Sequence, residues 1–75
     1  MIIYELRIFD RQTCGYKAIF TSKNAALRRF RMQLDNLSMW AREIQYAHIY
    51  GLKLNGSTHE FDVVSRDTVL PHEVL

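Results

Sequence analysis

The spacing of apolar residues changes twice along this chain, and those changes fix the class of fold open to it. Residues 2–9, IIYELRIF, alternate, with Ile2, Tyr4, Leu6 and Ile8 on one side and Ile3, Glu5, Arg7 and Phe9 on the other. Residues 16–21, YKAIFT, alternate again, with Tyr16, Ala18 and Phe20 opposite Lys17 and Ile19. A period of two belongs to strands. The polar stretch between them, DRQTCG, ends in Gly15 and reads as a hairpin loop. After Thr21 and Ser22, either of which can cap a helix, the period lengthens. Ala26, Leu27, Phe30, Leu34 and Leu37 then fall on one stripe, a sector about 100° wide of the kind that faces a core. Arg28, Arg29 and Arg31 point away from it, and Arg31 stands four residues before Asp35, close enough to pair. The helix is expected to end near residue 37, with a connector to about 43, because alternation restarts at Ile44.

The second alternating block sets Ile44, Tyr46, His48, Tyr50, Leu52 and Leu54 against Gln45, Ala47, Ile49, Gly51 and Lys53. Asn55-Gly56 follows, a strong signal for a two-residue hairpin turn, and THEFDVV (58–64) reads as the return strand. That turn pairs Leu52 with His59, Tyr50 with Phe61 and His48 with Val63, a register that keeps apolar residues together. The expected fold is α+β, in the order ββαββ: a small antiparallel sheet of about four strands with one helix on one face. Residues 1–64 form the domain, and 65–75, SRDTVLPHEVL, read as a C-terminal tail that can dock through Val69 and Leu70. The side holding Tyr4, Leu6, Ile8, Tyr16, Phe20, Tyr46, Tyr50, Leu52 and Phe61 is expected to lie under the helix.

One helix covers one face. The other face is then expected to hold Ile3, Phe9, Ile19, Ile49 and Val64, interleaved with Glu5, Arg7, Lys17, Lys53 and Asp62. That is a large apolar patch for a chain of 75 residues, and patches of this kind mark interaction sites. Residues 1–54 carry nine basic and four acidic groups, and residues 55–75 carry one and four. Lys23, Arg28, Arg29 and Arg31 make the helix basic enough to meet phosphates or an acidic protein. Phe9 is the one aromatic residue that this assignment puts on the open face, which argues against base stacking there.

Little in the chain asks for catalysis. Cys14, beside Gly15, has no histidine near it in sequence to lower its pKa, and a single cysteine rules out an internal disulfide. His48, His59 and His72 lack the spacing of a structural zinc site. No glycine-rich phosphate loop or Ser/His/Asp pattern is present, and no cofactor is implied. Met39 and Trp40 fall in the connector, where a tryptophan closes the end of a core or anchors a partner. No stretch is long and apolar enough for a membrane span or a signal peptide, so a cytoplasmic protein is expected.

The succession YKAIFTSKNAALRRFRMQL and YAHIYGLKLNGSTHEFDVV resembles, in size and layout, small accessory proteins of phages and mobile elements, among them anti-CRISPR proteins. The resemblance implies a non-enzymatic inhibitor that blocks a bacterial protein or ribonucleoprotein complex by covering it. Acidic DNA mimics of that group differ from this chain, whose net charge is +2. Partner contacts are expected from Lys23, Arg28, Arg29 and Arg31 on the helix, and from Ile3, Phe9, Ile19 and Ile49 on the sheet. Two other readings use the same surfaces: a nucleic-acid-binding regulator acting through the helix, and a homodimer built through the sheets.

Overall fold

A computed structural model describes residues 1–11, 13–35 and 40–74, with the backbone alone for Trp40 and Ala41. Strands β1 (Ile2–Asp10) and β2 (Thr13–Phe20) precede helix α1 (Lys23–Asp35), and a 3₁₀ turn at Trp40–Glu43 leads into β3 (Ile44–Asn55) and β4 (Glu60–Val69). The sheet is antiparallel, four-stranded and ordered β2-β1-β3-β4, so the expected ββαββ architecture is the observed one. Ser22 caps α1: its Oγ accepts the Ala25 amide at 3.1 Å. The expected helix end near residue 37 and the connector residue Met39 lie outside the described residues, as does the side chain of Trp40.

The core lies between α1 and one face of the sheet. Leu6, Ile8, Ala26, Phe30, Ile44, Ala47, Ile49 and Val69 are buried, and Tyr4, Tyr16, Phe20, Leu27 and Leu34 close around them. The expected helix stripe, through Ala26, Leu27, Phe30 and Leu34, and the expected inner faces of β1 and β2 are thus the ones that pack; Leu37 lies outside the described residues. In β3 the faces are the reverse of expectation. Ile8 pairs with Ala47, Leu6 with Ile49 and Tyr4 with Gly51, and cross-strand partners share a face. Ala47, Ile49 and Gly51 therefore lie under the helix, while Tyr46, His48, Tyr50 and Leu52 turn to the open side.

The physical reason is room. Phe30 and Leu6 already fill the layer, and the small Ala47 lets the helix approach β3 where a tyrosine ring would hold it off, while at Gly51 a side chain would run into Ser65 of β4. β3 is apolar on both faces, so alternation alone gives it no sign. Ile49, expected on the open face as a partner contact, is instead core, 1% exposed.

Extra residues shift the phase of the ladders. Gly15 is the surplus residue between the pairs Ile8–Tyr16 and Phe9–Cys14, and Gln45 between Phe9–Tyr46 and Asp10–Ile44. Val64 is the third, between Gly51–Ser65 and Leu52–Val63. The β3–β4 turn is also longer than expected. Asn55 pairs with Glu60, leaving Gly56–His59 as a four-residue loop, and Leu54 pairs with Phe61 and Leu52 with Val63. Asn55 itself drives this. Its Oδ1 accepts the amides of Ser57 at 2.9 Å and Thr58 at 3.4 Å, and its carbonyl accepts the amide of His59 at 2.9 Å. His59 then takes the left-handed conformation, at φ 58°, that a two-residue turn would have asked of Asn55 and Gly56.

The segment expected as a tail from residue 65 belongs to the fold. β4 continues to Val69, which is buried, and Val74, after the 3₁₀ turn Pro71–Glu73, packs against the core on the helix side. Two substitutions separate core from surface. Phe30→Ala should cost about 3–5 kcal/mol and leave little folded protein, since domains of this size hold only about 5 kcal/mol. Arg28→Ala should shift the urea midpoint by no more than about 0.5 kcal/mol in equivalent stability.

Candidate functional site

The open face of the sheet gathers aromatic and basic side chains in its middle. Phe9 and Tyr46, neighbours across β1 and β3, stack with centroids 4.9 Å apart and planes 15° from parallel. The His48 ring stands edge-on to Phe9, Tyr46 and Tyr50, at 5.2, 5.1 and 5.7 Å. Arg7 lays its guanidinium over the Tyr50 ring at 4.9 Å and pairs through Nε with Glu5. From β4, Thr68 Oγ1 hydrogen bonds His48 Nδ1 at 3.0 Å, and Arg66 pairs with Tyr50 across the strands. Lys17 on β2 pairs with Arg7, and Ile19 beside it is 53% exposed. By register, then, this face carries Arg7, Lys17 and Arg66 against Glu5.

Toward the hairpin end the face turns aliphatic. Ile3 pairs with Leu52, and Leu54, Phe61 and Val63 continue the surface, each of these three more than half exposed. The C-terminal turn packs on the helix side and leaves all of this uncovered.

Electrostatics follow from the geometry. Partial burial, then the charges of Arg66 and Arg7, push the His48 pKa below its ordinary value of 6.5. Glu5, through its hydrogen bond and charge, holds Arg7 firmly protonated. The cluster therefore holds a neutral imidazole between two fixed cations at neutral pH.

The expected helix patch fares differently from the sheet. Lys23 Nζ lies 2.8 Å from Asp67 and Arg31 Nε 3.9 Å from Asp35. Arg29 donates to the Tyr16 hydroxyl at 2.9 Å and lies 5.7 Å over the Phe20 ring, so it braces the helix to β2. Among the described residues, Arg28 is the one of these four helix cations without such a contact. Of the expected sheet contacts, Ile3, Phe9 and Ile19 lie on the open face and Ile49 does not.

Alternation alone does not place Tyr46, His48 and Tyr50 on the open face; their signal is the register of β3 against Leu6 and Ile8, visible only once the pairing is known. The expectation that Phe9 stands as the one aromatic there is corrected accordingly. The histidines do not converge: His48 is on the open face, His59 in the hairpin loop and His72 in the C-terminal turn. Cys14 is exposed, its Sγ 3.4 Å from the Tyr16 carbonyl. No helix among the described residues is long and apolar enough to cross a membrane. Comparison with protein-family models, with curated proteins and with solved structures gives no match.

Two measurements test these assignments. Arg29→Ala should cost about 1 kcal/mol by urea unfolding, the worth of a partly buried hydrogen bond, where Arg28→Ala costs almost nothing. The depressed His48 pKa sets a pH dependence whose sign is fixed. Between that pKa and 6.5 the unfolded chain binds the proton more readily, so stability is full above pH 6.5 and falls as the pH drops through this window. His48→Gln should flatten that slope relative to the wild type.

Proposed function

We propose that this chain is a small non-enzymatic binding protein whose open sheet face is its contact surface for a protein partner. The observation that carries the reading is the Phe9–Tyr46–His48–Tyr50 cluster with Arg7, lying on a face that no other element of the described chain covers. Tyrosine and arginine dominate the energetic centres of protein interfaces, because they combine large apolar area with polar ends at low entropic cost. Ile3, Ile19 and Leu52 supply aliphatic area around the cluster.

A protein fits this surface better than a nucleic acid does. Base stacking needs ring faces open to solvent. Here Phe9 and Tyr46 face one another, and one face of Tyr50 is taken by Arg7. The basic helix, the other route to nucleic acid, has Lys23, Arg29 and Arg31 engaged within the chain.

The likeness in layout to anti-CRISPR proteins gives the binding a direction. A chain this small acts on a large bacterial protein or ribonucleoprotein complex by covering a surface of it. Capture from bacterial lysate with the tagged wild type, Tyr46→Ala, Tyr50→Ala, Ile19→Asp and Arg28→Ala, read by mass spectrometry, tests the reading. One prey should be lost with the three sheet variants, whose affinity falls by about tenfold or more, and kept with Arg28→Ala. A prey lost with Arg28→Ala alone, or displaced by nuclease, would move the contact to the helix or to nucleic acid.

A further inference from the structure

The sheet has a second feature that asks for a partner, at its edge. β4 is the outer strand next to β3, so one side of its backbone is paired and the other presents N–H and C=O groups to solvent. Helix α1 packs on β1, β2 and β3 and reaches β4 through the Lys23–Asp67 ion pair. The C-terminal turn packs against β3. Residues 60–66 of β4 are consequently all exposed, including Phe61 at 51%, Val63 at 60% and Val64 at 51%. β2, the other edge, lies under α1 and has one large apolar side chain this exposed, Ile19.

Proteins blunt such an edge with lysine, proline, a short strand, inward-pointing charges or a bulge. β4 has ten residues with neither lysine nor proline; its bulge at Val64 and its inward Glu60, Asp62 and Asp67 work against a second copy of the strand, while Phe61, Val63 and Arg66 stay open on the other side. We propose that β4 docks an extended segment of a partner protein as a fifth strand of the sheet. The segment sets apolar side chains beside Phe61 and Val63 and a carboxylate beside Arg66.

β3 already shows how a regular strand fits the bulged one. It meets Phe61, Val63 and Arg66 with Leu54, Leu52 and Tyr50, which are spaced two apart. An added strand repeating that geometry presents its two apolar residues and its acid at alternate positions on one face. A second copy of β4 suits the edge poorly. The bulge puts Phe61, Val63, Arg66 and Thr68 on the open side and Glu60, Asp62, Ser65 and Asp67 on the other. The antiparallel self-pairings that match these faces along the strand bring Asp67 opposite Glu60 or opposite Asp62, and like charges across strands repel. The proposal shares Arg66, Phe61 and Val63 with the open face, but it rests on the β4 backbone edge, which amide protection in β4 reads directly, so either reading can fail alone.

The test uses the full chain and a short end-blocked peptide of alternating valine and threonine, with glutamate at the third outward position, made in both chain directions. A scrambled peptide and an oligothymidylate serve as comparisons. Amide hydrogen exchange by NMR should show β4 amides protected on adding the ordered peptide while β2 amides are unchanged. Arg66→Glu should weaken that peptide by about tenfold, and replacing its glutamate by lysine should restore binding. Equal binding of the scrambled peptide, binding without β4 protection, or tighter binding of the oligothymidylate would overturn the proposal. So would protection of β4 that grows with protein concentration alone, which would give the edge to a second copy.

Discussion

Everything in this fold depends on the contact between one short helix and a sheet with two faces. Phe30 and Ala26 meet Leu6, Ile8, Ala47 and Ile49, and among the described residues that layer is the buried core, with Ile44 and Val69 at its margin. The helix has 13 residues, about 20 Å at 1.5 Å per residue, so it spans part of the sheet and only one side of it. In a chain this small the remaining apolar surface has no second layer to go under.

The surface chemistry follows from that contact. Because β3 turns Ala47 and Ile49 to the helix, its alternate residues face out, and Tyr46, His48 and Tyr50 come to lie beside Phe9 and Arg7. The rings satisfy one another in part through stacking and edge contacts, and Thr68 and Glu5 supply polar partners. The outcome is a preorganised cluster, with little side-chain freedom left to lose when something lands on it.

Much of the architecture was legible in the residues. The changes of period at Ser22 and Ile44 marked the helix and the second hairpin, and Leu6, Ile8, Ala26 and Phe30 declared themselves as core. The face of β3 was not legible, because both its sides are rich in apolar residues and only pairing with β1 breaks the tie. The hairpin turn was misread for a local reason: the Asn55 side chain binds its own loop and makes a four-residue connection cheaper than a two-residue one. The basic helix looked like a binding surface because sequence shows charge but hides its partners, and Asp67 and Tyr16 stand 44 and 13 residues away from the cations they engage.

The bulge at Val64 has a consequence for assembly. A straight outer ribbon with Phe61 and Val63 on its rim would be a template on which identical ribbons could stack without limit, the route to fibrous aggregates. One surplus residue bends that ribbon and breaks its periodicity, while the pairs on either side of it stay intact. The same small irregularity that spoils a simple alternating pattern thus keeps a greasy border from propagating, and leaves it selective for whatever shape can follow the bend.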